Sequence, residues 1–514
     1  MTGLRSGRFL VGVNAFFPLD DTYHSWHKRT VGNSQKDLGQ FFTPPEVART
    51  LVRWVITSPR QRLLDPSCGD GEFLVCHRRA VGIDVDRNHT IRARTRAPGA
   101  LVHEGDFFLW ASRTSERFDA AAGNPPFIRY QTFSGETRQR ALVEAAKLGA
   151  RFNGLCSSWA PFLVATAGLL RPGGGMAFVV PAEIGHATYA EPLLEALCSH
   201  FDRVHLTAFR EKLFPTLSED CWLLHCTGFA GHTDELLLSA LEEFHPVAAP
   251  PQIGRRVSLA SWRKSGCRLR RFLLPECGMA LYDSLVELPG VRRFCEVGHA
   301  GIGYVTGAND FFHVRPTEAQ FWMLPPEVLR VTVRKGEQLP EHCVDHQTVR
   351  SWMANDEPVL LLHLRGVDPL PAPVRQYLDT AAGQQAKETY KCRNRNPWYV
   401  VPDVKTPDAF LTYMSGLAPI LVANEARCVC TNSVHAVRLS TGINIVDVQR
   451  AWDTPLCQLS CEIEGHPLGG GMLKLEPGEV TNVRLPLLGT PMSQKDATTL
   501  EETITEARRW RHYV

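Results

Sequence analysis

Four consecutive residues, Asn124-Pro125-Pro126-Phe127, could bind a planar heterocycle that carries an amino group. The Asn124 carboxamide oxygen and the Pro125 carbonyl could accept both amino hydrogens, which would localise the nitrogen lone pair. Pro126 fixes the backbone, and Phe127 supplies an aromatic face for stacking. The alternative interpretation is a polyproline turn without chemistry.

A glycine loop lies upstream, in the segment LLDPSCGDGEF at Leu63–Phe73. Gly69 and Gly71 permit a tight turn and a close approach of a ligand to the backbone. The loop lacks the G-K-[ST] ending of a triphosphate-binding loop. An acidic residue at the turn, Asp65 or Asp70, would repel phosphates and attract a cationic amino-acid ligand.

Two further carboxylates follow predicted strands. Asp84 ends the run VGID and is placed to hydrogen-bond ribose hydroxyls, whereas Asp86 suits the N-cap of the next helix. Asp106 ends the third strand and could accept a hydrogen bond from a purine amino group, with Phe107 packed on that purine. The alternative for this last pair is a turn residue and a core aromatic residue.

Strands and helices alternate from Leu38 to about Gly228, and this pattern would bring the candidate residues together. It predicts an α/β fold with a mostly parallel sheet, in which ligands bind at the carboxyl ends of the strands. The predicted strands are Arg62–Asp65, Ala80–Asp84, Leu101–His103, Phe118–Ala122, Gly175–Val180, Arg203–Thr207 and Cys221–Thr227. The predicted helices between them include Pro45–Ile56, Ser158–Leu170 and Glu191–Ser199.

In this order the motifs resemble those of the gamma-class (Taq-type) adenine-N6 DNA methyltransferases of type II restriction–modification systems. The resemblance covers Leu38–Cys226 and includes GQFFTPPEVARTLV at Gly39–Val52 and KLFPTLSEDCWLL at Lys212–Leu224. It implies a class I S-adenosylmethionine-dependent methyltransferase domain of Rossmann-like fold. A C-terminal mixed α+β target-recognition domain would follow.

The resemblance also implies a role for individual residues. Those expected to bind the cofactor S-adenosyl-L-methionine are Thr43 at the methionine carboxylate, Asp65, Ser67, Cys68, Gly69 and Gly71 at the methionine end, Asp84 at the ribose, and Asp106 and Phe107 at the adenine. The expected catalytic residues are Asn124, Pro125, Pro126 and Phe127. A flipped adenine would stack between Phe127 and Phe214, and transfer would be a direct displacement without a metal.

Three local expectations accompany these roles. Thr43 is also a natural N-cap for a helix with Pro45 in its first turn. The tetrad ends in Phe127 where the family more often has Tyr, so stacking survives but any contact through a phenol hydroxyl is lost. The segment between Gly71 and Val81 leaves room for only a short helix.

The C-terminal half is expected to recognise the DNA target. GIGYVTGANDFF at Gly301–Phe312 resembles a segment of target-recognition domains, and NEARCVCTNSVHAV at Asn424–Val437 does so more weakly. KCRNRN at Lys391–Asn396 adds Arg and Asn side chains that could read guanine and adenine edges, unless it is a polar surface loop. His435 is expected to be a packed residue rather than a catalytic one.

The charge of the chain is nearly balanced, with 56 basic and 54 acidic residues, and does not by itself indicate a nucleic-acid partner. Between Pro250 and Pro275, however, basic residues occur without any acidic residue, which suggests either a phosphate-facing strip or a solvated linker. The strip comprises Arg255, Arg256, Arg263, Lys264, Arg268, Arg270 and Arg271. The DNA-binding candidates are Arg255, Arg256, Arg263, Lys264, Lys391, Arg393 and Arg395.

Four regions follow from this interpretation: a catalytic domain at 38–235, a basic linker at 236–275, a target-recognition domain at 276–490 and a C-terminal helix at 491–514. The expected partner is double-stranded DNA, and the sequence leaves open whether a cognate restriction endonuclease acts on the same site. The 15 Cys residues include no C-x-x-C pair, and no apolar run is long enough to span a membrane. We therefore expect a cytoplasmic protein with free thiols.

Three other functions use parts of the same pattern. Protein-glutamine N5 methyltransferases share an Asn-Pro-Pro-aromatic tetrad, but they carry a small helical domain before the fold and no large domain after it. An RNA N-methyltransferase is a second alternative. A DNA-binding specificity subunit with a vestigial methyltransferase fold is a third, against which the intact glycine loop and tetrad argue.

Overall fold

The computed structural model describes residues 43–215, 219–468, 470–487 and 492–513. Parts of three sequence predictions lie outside these ranges. They are the predicted start at Leu38, the first residues of the Gly39–Val52 motif, and residues 216–218 of the Lys212–Leu224 motif. The described helices are α1 Pro45–Val55, α2 Arg87–Arg96, α3 Phe107–Arg113, α4 Gly135–Ala146, α5 Trp159–Ala167, α6 Ala190–His200, α7 Leu259–Lys264, α8 Glu276–Val286, α9 Phe294–Val297, α10 Asn309–Phe312, α11 Pro316–Phe321, α12 His346–Ala354, α13 Ala372–Leu378, α14 Ala381–Lys387, α15 Tyr390–Arg393, α16 Ile445–Trp452, α17 Pro455–Glu464, α18 Pro477–Val480 and α19 Gln494–Arg509.

The strands are β1 Leu63–Asp65, β2 Ala80–Asp84, β3 Leu101–Glu104, β4 Phe118–Gly123, β5 Leu170–Pro181, β6 Phe201–Phe209, β7 Cys221–Phe229, β8 Glu235–Leu241, β9 Arg255–Ser258, β10 Val291–Arg293, β11 Gly298–Ile302, β12 His313–Val314, β13 Leu329–Val333, β14 Cys343–Val344, β15 Leu360–Leu362, β16 Ala409–Thr412, β17 Met414–Ser415, β18 Leu421–Asn424, β19 Val429–Cys430, β20 Val434–Leu439, β21 His466–Pro467, β22 Leu473–Lys474 and β23 Arg484–Pro486.

One nine-stranded sheet contains all seven predicted strands, in the order β3-β2-β1-β4-β5-β7-β6-β8-β9. Strands β3, β2, β1, β4 and β5 are parallel neighbours, and β7 runs antiparallel between β5 and β6. Because the direction of strand succession reverses between β1 and β4, their carboxyl ends form the crevice where ligands bind in such sheets. The predicted α/β class with a mostly parallel, Rossmann-like sheet is confirmed.

The β1–β2 connection contains a single turn of 3-10 helix, Leu74–Cys76, so the predicted short helix is present. Strand β5 begins at Leu170, earlier than predicted, because Leu170 already pairs with Phe118 before the register shifts. Gly173, with φ +79°, lies within this strand.

Helix α1 packs on the sheet directly before the candidate site. Its apolar residues Val47, Leu51 and Val55 recur at helical spacing and lie in one buried cluster with Ala120 and Ala122 of β4. Small alanine side chains on β4 leave room for the helix to lie close to the strand. The entry to α1 is thereby held against the carboxyl end of β4.

The predicted basic linker at 236–275 is wrong. Strand β8 pairs parallel with β6, and β9 pairs antiparallel with β8, so this segment extends the catalytic sheet. Val257, Trp262 and Leu269 are buried in the same core as the rest of the sheet. Strand β9 has the sequence RRVS, and its two arginines conceal it in the sequence, although burial of Val257 fixes it against β8.

The C-terminal region shares this core with the sheet. Tyr282 of α8, Leu459 of α17 and Ile504 of α19 lie in one buried cluster with Phe178 of β5. The remaining C-terminal strands form smaller sheets, the largest ordered β11-β20-β16-β18-β14, and so give the expected mixed α+β architecture. Within the described ranges, no helix combines the length and apolar character required to cross a membrane.

Candidate active site

The glycine loop and the tetrad meet at the carboxyl ends of β1 and β4. Asp65 ends β1, and Gly123 ends β4 immediately before the tetrad. A Cβ atom on Gly123 would lie 2.8 Å from the Asp65 Oδ1 atom, so the carboxylate occupies the space that a side chain would fill. The close approach of Asp65 to this strand end explains why a glycine precedes Asn124.

Asp65 is fully buried and only partly satisfied. The Ser67 N–H donates to its Oδ1 atom at 3.2 Å, while its Oδ2 atom has no hydrogen-bond partner among the described residues. Burial raises the pKa of the Asp65 carboxyl to about 8. A cationic group beside Oδ2 would favour the ionised carboxylate, so the site fits the methionine ammonium of S-adenosylmethionine.

Asp70, the other acidic candidate in the loop, is already paired. Its Oδ2 atom lies 3.3 Å from the Arg96 Nη1 atom, and its side chain is partly exposed. Asp65 is therefore the acidic residue of this loop that the structure places at the crevice.

Asp84 holds the glycine loop over the end of β2. Its Oδ2 atom accepts from the Gly69 N–H at 2.8 Å, and its Oδ1 atom accepts from the Asp86 N–H at 2.8 Å. Gly69 has φ +51° and Gly71 has φ +90°, conformations that favour glycine. Asp86 caps α2 by accepting from Asn88 and His89, as expected.

Cys68 belongs to the packing of the loop. Its N–H donates to the Ile83 carbonyl at 2.9 Å, and its side chain is buried against Gly82. Burial raises the pKa of the Cys68 thiol, which makes the thiolate unfavourable. The residue therefore lines the loop as a neutral group.

Thr43 contacts the tetrad and does not cap a helix. The N-cap of α1 is Pro44, and no side chain makes a capping hydrogen bond there, so the expected N-cap role of Thr43 is wrong. Instead, the Thr43 Oγ1 atom accepts from the Asn124 Nδ2 atom at 3.2 Å. The Thr43 hydroxyl bonds to the tetrad and not to the helix, because the entry to α1 lies at the end of β4.

Three residues that sequence reasoning missed also shape the site: Gly123, Ser158 and Glu183. The Ser158 hydroxyl donates to the Pro126 carbonyl, and the Glu183 carboxylate accepts from the Trp159 indole N–H at 2.7 Å. Burial raises the pKa of the Glu183 carboxyl. Neither Ser158 nor Glu183 lies in a motif, and only the fold brings them to this edge.

The two proposed stacking residues pack on the same apolar cluster. Phe127 is half-buried and contacts both core clusters of the sheet, one of which contains Phe214. Phe214 is 6% exposed and lies in that cluster with Leu213 and Phe209. Both rings thus contact one cluster, and Phe127 is the more accessible of the two.

Asp106 and Phe107 have structural partners of their own. Asp106 caps α3 by accepting from the Leu109 N–H at 2.7 Å, and it also accepts from the Thr137 hydroxyl at 2.7 Å. Phe107 is buried and stacks on Phe162 with ring centroids 5.1 Å apart. These contacts agree with the alternative interpretation, in which Asp106 is a turn residue and Phe107 is a core aromatic residue.

Five of the seven basic residues of the strip form ion pairs with carboxylates that lie outside it in the sequence, so the positive charge is less isolated than the sequence suggests. Whether the strip faces phosphates stays a prediction. Arg270 is partly buried and donates to the Trp510 carbonyl at 3.0 Å. Lys264 is exposed at the end of α7. The ion pairs are Arg255–Glu276, Arg256–Glu235, Arg263–Glu195, Arg268–Glu479 and Arg271–Asp283.

The three C-terminal segments proposed for target recognition do come together. Strand β11 pairs with β20, and Ile302 lies opposite His435. His435 is buried and its Nε2 atom lies 2.6 Å from the Leu475 carbonyl, so it is a packed residue as expected. Arg395 donates to the Val305 carbonyl at 2.7 Å, which links KCRNRN to the same region.

Arg395 therefore supports the Gly301–Phe312 segment, and its predicted contact with DNA stays a prediction. Its guanidinium donates to two successive carbonyls, those of Val305 and Thr306. Lys391 and Arg393 of α15 are exposed, and Arg393 lies 5.7 Å above the Tyr390 ring.

Comparison with known proteins gives two family matches. Residues 19–94 match the N-6 DNA Methylase family, and residues 268–514 match the C-terminal domain of the type II methyltransferase M.Eco57I.

Individual proteins match over most of the chain. Type II methyltransferase M.AccI of Acinetobacter calcoaceticus is 17% identical over 467 residues, which are 87% of this chain and 85% of that protein. Type II methyltransferase M.XamI of Xanthomonas campestris pv. amaranthicola is 22% identical over 484 residues, 89% of this chain and 87% of that protein. The solved structure of the type IIL restriction-modification enzyme MmeI in complex with DNA is also similar. The matched region covers 89% of this chain and 65% of the MmeI chain, with a TM-score of 0.46 and 13% identity.

The sheet order places the Asn-Pro-Pro-Phe tetrad beside a buried carboxylate suited to a cationic cofactor, and the family match to N-6 DNA methylases covers the glycine loop. The chain is therefore an S-adenosylmethionine-dependent, adenine-specific N6 DNA methyltransferase of the type II restriction–modification kind.

Proposed function

We propose that this enzyme works by the gamma-class mechanism, in which a target adenine is extruded from double-stranded DNA and methylated within one specific sequence. One observation carries the proposal: Asn124 lies at the carboxyl end of β4, directly beside the buried Asp65 at the end of β1. Adenine N6 is inaccessible inside a stacked duplex, so the base must leave the helix to reach this crevice.

S-adenosylmethionine supplies an electrophilic methyl group on a sulfonium centre. Asp65 would hold its ammonium, and Thr43 and Ser67 would line the methionine end. Asp84 would bind the ribose hydroxyls through lone pairs left by its two backbone contacts, and Gly69 and Gly71 would let the backbone approach the ligand closely.

The chain's own groups would prepare the target base. The Asn124 oxygen and the Pro125 carbonyl would accept the two N6 hydrogens, and Phe127 would stack on the ring, with Phe214 on the other face. Catalysis then consists of positioning and electrostatic stabilisation, because the displacement needs no nucleophilic side chain. Asp106 and Phe107 would contact the cofactor adenine beside their present partners.

Two further partners belong to this proposal. Exposed Lys264, Lys391 and Arg393 would contact phosphates or base edges of the duplex. A cognate restriction endonuclease would recognise the same site, and methylation would protect that site from cleavage in the cytoplasm.

The proposal predicts which polymer is labelled. Incubation with methyl-labelled S-adenosylmethionine should transfer label to double-stranded DNA, and nucleoside analysis should recover it as N6-methyladenine. RNA and a protein extract serve as parallel acceptors, since the same tetrad occurs in enzymes that modify them. Label in RNA or protein alone would overturn the DNA assignment.

A further inference from the structure

Ser158 contacts the tetrad from a distant part of the chain. It is fully buried, at 0% exposure, and directly precedes α5. Its hydroxyl donates to the Pro126 carbonyl and accepts from the Ile128 N–H at 3.0 Å. Its own N–H donates to the Ile128 carbonyl at 2.9 Å. One serine therefore holds the backbone on both sides of Phe127.

The helix that follows Ser158 does not use this hydroxyl. A serine at a helix N-cap usually accepts a hydrogen bond from the first turn, but no side-chain capping bond is present at α5. The hydroxyl is directed to the tetrad instead. Its contacts there are specific, because Pro126 lacks an N–H and its carbonyl is its one backbone hydrogen-bonding group.

The support beneath Ser158 is rigid. Every residue of α5 is buried, and its first residue, Trp159, donates from its indole to Glu183 at 2.7 Å. Glu183 follows the end of β5, the strand beside β4. The position of the Ser158 hydroxyl is thus fixed by a packed helix and by the neighbouring strand, and not by the loop that it holds.

A second serine holds the other end of the tetrad. The Ser67 hydroxyl, in the glycine loop, donates to the Asn124 carbonyl at 3.1 Å. The tetrad backbone is therefore held at Asn124 from the cofactor side and at Pro126 and Ile128 from α5. Phe127, between these last two residues, is the member whose ring orientation depends most directly on Ser158.

We propose that Ser158 is a positioning residue for methyl transfer. It fixes the ring of Phe127, and hence the extruded adenine stacked on it, relative to the acceptors on Asn124 and Pro125. The inference rests on the proposed function. Small displacements of a reacting group cost rate steeply, so a residue that sets this orientation contributes to kcat without touching the substrate.

The test uses Ser158→Ala in the full-length enzyme, assayed on an oligonucleotide that carries the mapped target sequence. Loss of the hydroxyl leaves the Ile128 N–H and the Pro126 carbonyl without this partner, so we expect kcat to fall about tenfold. The dissociation constant for S-adenosylmethionine should stay close to the wild-type value, because Asp65 is unchanged. The melting temperature should fall by a few degrees, because two buried backbone groups lose a partner. A merely structural role would lower the melting temperature in the same way but would leave kcat unchanged when the assay is run well below that temperature.

A spectroscopic measurement isolates the stacking. With 2-aminopurine in place of the target adenine, the wild-type complex should show fluorescence quenched by stacking on Phe127. The Ser158→Ala complex should show a longer fluorescence lifetime. Ser134→Ala is the matched control, because Ser134 is exposed on the same connection and makes no capping bond at α4.

The result that would overturn the inference is a Ser158→Ala enzyme with wild-type kcat and an unchanged 2-aminopurine lifetime. If the alanine variant does not fold, the same measurements on Ser158→Cys test the inference. A thiol fills a similar volume to the hydroxyl but forms only weak hydrogen bonds. Wild-type transfer to DNA in the same assay tests the proposed function separately. Failure of that transfer is therefore distinguishable from failure of the role given to Ser158.

Discussion

Asp65 is a carboxyl group whose ionisation depends on what binds beside it. Burial raises its pKa to about 8, so the carboxyl is mostly protonated in the free enzyme at neutral pH. Because the folded-state pKa lies above the unfolded value, the group adds stability at low pH, and this contribution is lost as the pH rises towards about 8. A bound ammonium group would reverse this preference by stabilising the carboxylate.

Binding of S-adenosylmethionine should therefore release a proton from Asp65, and its affinity should increase between about pH 6 and about pH 7.5. The limiting slope is about tenfold per pH unit for one proton. Calorimetry in two buffers of different ionisation enthalpy measures the proton release. Asp65→Asn should bind the cofactor more weakly and without this pH dependence.

Asp70→Asn is the matched control for that experiment. Asp70 lies in the same loop, but its carboxylate is paired with Arg96 at 3.3 Å. Its removal should leave the pH dependence in place. A pH dependence that persists in Asp65→Asn would show that another group releases the proton.

At the scale of elements, the sequence identifies residues whose roles follow from local chain order. Asp65, Asp84 and Asn124 each directly end or follow a strand, and alternation of strands and helices suffices to place them at one edge. The partners of Arg268 could not be predicted in this way. Its carboxylate partner Glu479 is 211 residues away, and no local pattern indicates such a pair.

The KCRNRN segment contains both kinds of cation, one exposed to solvent and one bonded within the protein. Lys391 is exposed on α15, whereas Arg395 donates to the Val305 and Thr306 carbonyls. The sequence shows both as cations near a recognition motif. Only the tertiary contacts show that one of them is used within the protein.

Substitution of these two residues should give different results. Lys391→Ala should weaken DNA binding and reduce the salt dependence by about one counterion, with no change in thermal stability. Arg395→Ala should destabilise the fold by about 2 kcal/mol, because two carbonyls lose a charged donor. Binding at several salt concentrations and thermal melting measure the two effects. Unchanged salt dependence in Lys391→Ala would remove it from the DNA contacts.

At the scale of the whole molecule, the catalytic sheet and the C-terminal helices form one buried unit. Arg511 is 1% exposed and donates to both Glu462 oxygens, at 2.9 and 2.8 Å, which ties the end of the chain to α17. Most of the basic strip is paired with carboxylates of the fold, as Arg271 is with Asp283 at 2.7 Å.

The most direct test of the central claim is modified-base sequencing of DNA from a methylation-deficient host that expresses this protein. The wild-type enzyme should leave N6-methyladenine at one defined sequence throughout the host DNA. Asn124→Ala, which removes an acceptor for the N6 hydrogens, should leave none above background while still binding S-adenosylmethionine. Methylation at cytosine N4, or equal adenine methylation by Asn124→Ala, would contradict the account.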